Sequence, residues 1–322
     1  MMRSASLQLK LKRLLFSLEP VDWREVKRIL DSGIDYSMNP RKAGADWPLV
    51  WEMARAPHKL FVECVERGMP LVARHAPMHA VERALSWGCE DNLRVLVGGG
   101  APVNCDRRQP QPWHALFYWV LGPWITTGSR GWEHTPGPRF VSAKWRRMLR
   151  TLLDAGASID AYSGGATPLL FCLVLYGAAS EGQVWQSAKD LASRALMLID
   201  AGADVNAPLT GKRYEIGGRW PRGATPLFAR PIGDGRVHRA MLKSGADPLK
   251  QCLLPVPWNA IEFAEMSLHR LKTNANEYLH PESGKELTFD RPPMPDDVRQ
   301  VARLIEQMKR MSRLHGRSPR GS

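Results

Sequence analysis

The segment DAGADVN at residues 200–206 decides the fold, because related segments recur along the chain. Each copy ends a run of apolar residues at helical spacing and contains a glycine, a small residue and often Asp or Asn. The glycines stand at positions 33, 68, 100, 156, 202 and 245. Glycine adopts the left-handed conformation that commonly ends a helix, because it has no Cβ atom to clash. The recurrence therefore predicts a helix end at each of these glycines.

A second signature, proline followed by an apolar residue, alternates with the first at positions 48, 77, 112, 168, 226 and 257. Proline suits the first turn of a helix, where its missing N–H would have no partner. A threonine precedes it at Thr167 and Thr225 and can cap the helix. The shorter glycine-to-proline and proline-to-glycine steps sum to about 33 residues. The two signatures predict a repeating unit of helix, turn, helix and extended loop.

The segments AGADVN at 201–206 and ATPL at 166–169 and 224–227 closely resemble consensus segments of ankyrin repeats. The resemblance implies an all-α solenoid of about six helix-turn-helix repeats over residues 20–270, in which each repeat buries its apolar face against its neighbours. The predicted second helices carry suitable apolar stripes, namely Val26, Ile29 and Leu30; Phe61, Cys64 and Val65; Leu93 and Leu96; Met148, Leu149, Leu152 and Leu153; and Leu191, Ala195, Leu198 and Ile199.

Both ends of the array are predicted to be closed by amphipathic helices. An N-terminal capping helix is expected within residues 1–19, on the stripe Leu7, Leu11, Leu14, Leu15 and Leu18, and Asp22 and Glu25 after it have the spacing of a capping box. Residues 271–308 are expected to form a long loop and then a C-terminal capping helix on Val298, Val301, Ala302, Ile305 and Met308. Residues 309–322 are basic and are expected to be a disordered tail.

Three insertions interrupt the period, near residues 122–142, 177–189 and 208–222. The first two each fall between the two helices of a repeat, in the third and the fourth full repeat respectively. The third falls in the loop between repeats and is predicted to form an extended hairpin that turns near Gly217. Insertions give a repeat protein its individual surface, so they are the first places to look for partner contacts.

The candidate partner-binding residues come from the hairpin, the first insertion and the repeat starts. Arg, Tyr and Trp are enriched at the centres of protein interfaces, and the groove lined by loops and first helices is the usual binding surface of ankyrin proteins. The alternative is that these side chains pack their own loops and repeats. The candidates are Lys212, Arg213, Tyr214, Arg219, Trp220 and Arg222 in the hairpin; Trp124 and Trp132 in the first insertion; and Trp51, Arg55, Arg83, Trp87, Tyr118, Trp119, Tyr176 and Arg230 near repeat starts.

Composition bounds the partner and the compartment. The chain has 45 Lys and Arg against 32 Asp and Glu, a net charge of +13. This surplus suits a partner with an acidic surface; the alternative is that it serves only solubility. Nucleic acid is the less favoured partner. The five cysteines form no CxxC pair, so neither a zinc site nor a disulfide framework is expected, and single thiols fit the cytoplasm. No run of 18 apolar residues occurs, so no membrane span is expected.

The motifs of common enzymes are missing from the sequence. It has no phosphate loop, no dinucleotide-binding glycine motif and no G-x-S-x-G nucleophile elbow. His75 and His79 are four residues apart, but Pro77 between them starts a helix, which argues against a metal pair. No cofactor, metal or small-molecule substrate is therefore expected.

The resemblance implies a non-enzymatic protein-interaction module. The composition and the degenerate repeats suggest a bacterial protein, and bacterial ankyrin proteins of this size include immunity proteins that neutralise toxins. The alternatives are an effector directed at a host, or an enzyme-associated regulator with a site in the insertions.

Overall fold

The computed structural model describes residues 2–15, 21–34, 49–72, 79–104, 114–122, 142–180, 187–210, 222–229, 235–252, 258–273, 277–279, 286–288 and 298–316. The chain divides into two compact units, Met1–Ser158 and Ile159–Ser322.

The described part of the first unit consists of helices in consecutive pairs. Within it, α3 packs against α5 and α5 against α7, while α4 packs against α6 and α6 against α8. The first helices of the pairs therefore form one row and the second helices another. The helices are α1 (Met2–Leu15), α2 (Trp23–Asp31), α3 (Leu49–Met53), α4 (His58–Glu66), α5 (His79–Ser86), α6 (Glu90–Gly98), α7 (Ala115–Leu121) and α8 (Ser142–Asp154).

The core of the first unit lies between the two rows and follows the predicted stripes. The predicted stripe residues of α2 and α6 are all buried, whereas Val65 of α4 and Leu153 of α8 are only half-buried. The largest buried side chains are Trp119 of α7 and Trp145 of α8, whose rings meet edge to face with centroids 6.4 Å apart. The Trp119 indole N–H donates to the Trp145 carbonyl at 2.9 Å, so this buried N–H has a hydrogen-bond partner.

Asp22 caps α2 as the sequence predicts. Its carboxylate accepts the backbone N–H groups of Arg24 at 3.0 Å and Glu25 at 3.2 Å. The Glu25 carboxylate does not reach back to complete a capping box. It binds Arg28 at 2.7 Å and Lys10 of α1 at 2.8 Å, and the hydrogen bonds from these two cations lower the pKa of Glu25 to about 2. This carboxylate therefore links the N-terminal helix to the first repeat.

Each second helix ends at the glycine that the sequence marks. All six glycines have φ between 83° and 95°. At Gly156 the backbone N–H donates to the Leu153 carbonyl at 2.9 Å, and the next N–H, of Ala157, donates to the Leu152 carbonyl at 2.9 Å. This hydrogen-bond pair, a Schellman motif, recurs at Gly68, Gly100, Gly202 and Gly245.

The described part of the second unit continues the same pairing. Helix α9 and α12 both contact a single-turn 3₁₀ helix, while α10 contacts α11 and α11 contacts α13, which again gives two rows. The elements are α9 (Pro168–Ser180), α10 (Ala188–Asp200), the 3₁₀ helix (Pro226–Phe228), α11 (Arg236–Lys243), α12 (Ala260–Thr273), strands β1 (Glu277–Leu279) and β2 (Glu286–Thr288), and α13 (Val298–Gly316).

The C-terminal part of the chain differs from the prediction in two places. The predicted loop before the last helix contains β1 and β2, which pair antiparallel with Glu277 opposite Thr288. Helix α13 continues to Gly316, so residues 309–316 are helical, where the sequence predicts a disordered tail. Met308 is fully buried and Lys309 pairs with Glu265 of α12 at 2.6 Å. The basic residues that suggested a tail also suit the negative end of a helix dipole.

The first helix of the sixth repeat is reduced to one 3₁₀ turn. Pro231 follows shortly and has no N–H to donate to the Leu227 carbonyl, so an α-helix cannot extend from Pro226. The predicted threonine caps also differ. The Thr167 hydroxyl accepts the Leu170 N–H at 3.4 Å, but the Thr225 hydroxyl is buried and has no hydrogen-bond partner in the described part of the chain.

The side chain of His238 in α11 holds the backbone directly after the 3₁₀ turn, at Ala229. Its imidazole is fully buried, and Nε2 lies 2.8 Å from the Ala229 carbonyl, so Nε2 carries the proton and donates it. Nδ1 has no hydrogen-bond partner among the described residues. Burial lowers the pKa of His238 to about 4, because a charged imidazolium would be poorly solvated there.

Two glycines of one repeat provide a matched test of the helix ends. Gly100 has φ of 86° and Gly98 lies in α6 without a positive φ, and a Cβ atom at either would meet nothing within 4 Å. Gly100→Ala should lower the free energy of unfolding by about 1–2 kcal/mol through backbone strain alone. Gly98→Ala should raise it by up to ~1 kcal/mol. Urea denaturation measures both, and equal midpoints for the two variants would contradict the assignment.

The buried His238 predicts a loss of stability in acid. Its folded pKa of about 4 lies below the ordinary value of 6.5, so the unfolded chain binds the proton first as pH falls. The contribution of His238 is complete above pH 6.5 and declines between pH 6.5 and 4, by about 3 kcal/mol. His238→Gln keeps a donor for Ala229 but cannot titrate. Its urea midpoint should therefore fall less over this range than that of the unmodified chain, and parallel pH profiles would refute the account.

Candidate functional site

Two first-row helices of the first unit bring a set of charged and aromatic side chains together, here called the arginine–tryptophan cluster: Glu52, Arg55, Arg83 and Trp87. Glu52 lies on α3 and Arg55 in the turn that follows it. Arg83 lies on α5 and Trp87 in the turn after that helix. The cluster thus joins the equivalent ends of two adjacent repeats, because α3 packs against α5.

Glu52 is the centre of the cluster. Its carboxylate is only 3% exposed, and each of its oxygens faces one guanidinium. Arg55 Nε lies 2.8 Å from Oε2, and Arg83 Nη2 lies 3.3 Å from Oε1. A buried carboxylate is tolerated only where cations compensate its lost hydration, and here two arginines do so.

The Arg55 guanidinium is held on three sides. Besides the Glu52 carboxylate, it donates to the Leu15 carbonyl at the end of α1 and lies over the Trp87 ring, 5.0 Å from the centroid. Burial lowers the pKa of Arg55, but a guanidinium remains charged at any physiological pH. The cation–π contact and the ion pair therefore fix both the arginine and the indole ring.

The outer part of the cluster remains accessible. The Arg83 side chain is 24% exposed, against 12% for Arg55, and Trp87 is half-buried. The Trp87 indole N–H is buried and has no hydrogen-bond partner in the part of the chain that the structure describes. Nearby Cys89 is a thiol rather than a thiolate, because burial raises its pKa to about 11.

The charged residues of the second row are arranged differently, since they pair with one another across repeats. Lys27 of α2 binds Glu63 of α4 at 2.7 Å. Arg147 of α8 binds Glu90 of α6 through two nitrogens, each at 2.8 Å, and this contact is the main reason that the pKa of Glu90 is lowered. These side chains have intramolecular partners already, which makes them weaker candidates for binding another molecule.

In the second unit, the chain on either side of the predicted hairpin is paired as a hairpin requires. The Leu209 N–H donates to the Ala224 carbonyl at 2.9 Å, and the Gly223 N–H donates to the Leu209 carbonyl at 2.8 Å. The Thr210 N–H donates to the Gly165 carbonyl at 2.8 Å, in the preceding loop. The base of this insertion is thus fixed to its neighbour, and residues 211–221 lie outside the described residues.

The loops between repeats are joined by a recurring side-chain bridge. In the first unit, the Asn104 amide donates to the Gly156 carbonyl at 2.7 Å and accepts the Ser158 N–H at 2.9 Å. In the second unit, the Asn206 amide does the same with the Gly245 carbonyl, at 2.9 Å, and the Asp247 N–H, at 2.7 Å. Each asparagine follows its own helix-ending glycine by four positions and binds the glycine that ends the next second helix.

Helix pairs in two rows, a left-handed glycine after each second helix and asparagine-bridged extended loops are the features of one repeat type. The chain has the ankyrin-repeat fold. The predicted all-α ankyrin architecture is therefore confirmed, with β1 and β2 as a short addition.

No family model and no curated protein matches the sequence. The crystal structure of the human ASB11 ankyrin repeat domain is similar to 74% of this chain and 85% of that chain, with 16% sequence identity and a TM-score of 0.45.

The ankyrin fold is typically a scaffold for protein interaction. No described helix is long and apolar enough to cross a membrane. No group of three or more His, Cys, Asp or Glu side chains that could hold a metal ion occurs among the described residues. Among the described cysteines, Cys64, Cys89 and Cys172 are free thiols.

The structure describes eight of the candidate residues and brings three of them, Arg55, Arg83 and Trp87, into the arginine–tryptophan cluster. Trp51, Trp87 and Tyr118 are half-buried on the first row, and Arg222 is exposed beside the hairpin base. Two other groove candidates are buried in the core instead: Trp119 fully, and Tyr176 almost fully. The candidates outside the described residues are Lys212, Arg213, Tyr214, Arg219, Trp220, Trp124, Trp132 and Arg230.

Sequence reasoning missed Glu52, the residue that organises the cluster. The available signal was its spacing of three residues from Arg55, which allows an ion pair on a helix. Its second partner, Arg83, comes from the next repeat, and nothing in the sequence marks that contact.

The asparagine bridge predicts a stabilising substitution at Asp160. The Asp160 carboxylate accepts the Asp204 N–H at 2.8 Å, as the asparagines do, but it has no N–H to donate to the Gly202 carbonyl. Asp160→Asn should add this hydrogen bond and raise the free energy of unfolding by about 1 kcal/mol. The reverse change, Asn206→Asp, should lower it by a similar amount. An unchanged or lower urea midpoint for Asp160→Asn would show that the bridge does not form there.

Proposed function

We propose that this chain is a non-enzymatic protein-interaction module that binds its partner through the surface carrying the arginine–tryptophan cluster. The observation that supports the proposal is the way Glu52 and Trp87 hold Arg55, with Arg83 at the exposed edge. Arginine and tryptophan are among the residues most enriched at interface centres. Side chains that are already ordered lose little conformational entropy on binding, so a pre-ordered cluster favours affinity.

The charge of the cluster favours a partner with an acidic surface. Two guanidiniums share one carboxylate, which leaves one positive charge in excess. The chain as a whole has a net charge of +13, which would attract an acidic protein over longer distances. A single excess charge is a poor match for the closely spaced phosphates of nucleic acid, which are usually bound by several basic side chains.

Three of the described cysteines, Cys64, Cys89 and Cys172, are poorly suited to nucleophilic catalysis. Burial raises the pKa of Cys64 and Cys172 to about 12 each, so both are protonated at neutral pH. The thiolate is the nucleophilic form, and a thiol with so high a pKa is a poor nucleophile.

The specific role that we propose is that of a bacterial immunity protein that captures a toxin in the cytoplasm at a fixed stoichiometry. The proposal rests on analogy with bacterial ankyrin proteins that carry degenerate repeats and insertions. The hairpin near 208–222 is proposed as a second contact surface, through Arg213 and Trp220 above all. The alternatives are a host-directed effector and an enzyme-associated regulator whose site lies in the insertions. A toxin gene next to the gene for this chain would favour the immunity role.

The proposed function predicts one stoichiometric partner in capture from native lysate, measured by quantitative mass spectrometry. Arg83→Ala should reduce capture at least tenfold, because it removes the exposed arginine of the cluster. Arg150→Ala removes the same charge from the exposed face of α8 and is the matched control, with capture unchanged. Trp220→Ala with Arg213→Ala tests the hairpin in the same way.

Failure of the proposal would take a definite form. The absence of any stoichiometric partner, together with thermal stabilisation of the chain by a metabolite, would indicate an enzyme or a small-molecule sensor. Equal losses from Arg83→Ala and Arg150→Ala would indicate a general charge effect and remove the cluster from the interface.

A further inference from the structure

We propose that the Arg83 guanidinium and the Trp87 indole N–H together bind the carboxylate of a glutamate or aspartate side chain of the partner protein. This inference rests on the proposed function and names the chemistry that the cluster recognises. It depends on the hydrogen-bond donors that the cluster leaves unused.

The arginines of the cluster differ in how far their donors are occupied. Arg55 binds Glu52 and the Leu15 carbonyl, and its face lies against the Trp87 ring. Arg83 contacts Glu52 through a single nitrogen at 3.3 Å, and its other nitrogens have no partner among the described residues. Because Arg83 is also the more exposed of the two, it is the arginine available to a second molecule.

The Trp87 indole N–H is the second unused donor. The nitrogen is buried and has no acceptor in the described chain. Indole nitrogen can only donate, so this group is satisfied only by an acceptor that comes to it. The acceptors of the cluster itself are committed, since each Glu52 oxygen already faces an arginine.

Surplus donors with one surplus positive charge define the complementary group. It must be a monoanion with two acceptor oxygens held a fixed distance apart, which describes a carboxylate. A side chain suits the position better than a chain terminus. A buried N–H is reached most easily by a carboxylate on a narrow methylene stem, whereas a terminal carboxylate brings the substituents of its own Cα.

The test follows the indole N–H of Trp87 by 15N-correlated NMR of the full chain, with that signal assigned by its loss in Trp87→Phe. Titration with N-acetyl-glutamate methylamide should move the signal downfield in a saturable way. The glutamine analogue, which has the same shape without the charge, should not move it. Arg83→Gln should weaken the response at least tenfold, and Arg150→Gln should leave it unchanged.

Three outcomes would overturn the inference: an unmoved Trp87 signal in the unmodified chain, an equal response to the glutamine analogue, or a response to N-acetyl-alanine, a terminal carboxylate, alone. The titration of the unmodified chain tests the carboxylate site even if Arg83→Gln does not fold. Failure here is separable from failure of the proposed function. A captured partner with an unmoved Trp87 signal refutes only the carboxylate site, whereas a moved signal with no captured partner refutes only the interaction role.

Discussion

The rest of the structure depends on how the chain reverses at the end of each second helix. At Gly156 and Gly245, as at the other helix-ending glycines, a left-handed residue is closed by hydrogen bonds back into the last helical turn. The carbonyls of these two glycines then accept the side chains of Asn104 and Asn206 from the preceding loops. Helix end and loop bridge therefore share one residue. A side chain that opposed the left-handed conformation would disturb both the end of its own helix and the attachment of the preceding loop.

This shared position explains which parts of the fold could be predicted from sequence. The left-handed conformation demands glycine whatever surrounds it, so the six glycines marked the helix ends correctly. The length of a first helix is harder to predict from sequence, because a proline can start a helix without fixing where it ends. After Pro226 only a 3₁₀ turn forms, and Thr225 does not cap it, whereas Thr167 caps a helix of 13 residues. The end of α13 could not be predicted for a similar reason, because exposed basic residues are compatible with a disordered tail and with a helix. In the structure the helix continues past Met308, which is buried on its inner face.

The candidate site was only half predictable. Arg55, Arg83 and Trp87 could be named from the sequence because their residue types are common at interfaces and they lie near repeat starts. Their relation to one another could not, since it depends on the packing of α3 against α5 and on a glutamate whose two partners come from different repeats. The hairpin candidates are a different case. The chain enters and leaves that insertion as a paired hairpin base, but the positions of Arg213 and Trp220 remain a prediction.

A buried carboxylate contributes little to the stability of a repeat, because burial removes its hydration. Replacing a buried ion pair by well-packed apolar residues is often neutral or stabilising, so stability alone gives little reason for Glu52 to lie between two arginines. Its geometry gives a better reason. Glu52 directs Arg55 onto the ring of Trp87 and holds one nitrogen of Arg83, which leaves the outer donors of Arg83 and the Trp87 N–H without acceptors. The ankyrin framework fixes the positions of α3 and α5. Glu52 binds an arginine from each side of that contact and so orders the cluster, whose remaining donors have no acceptor within it.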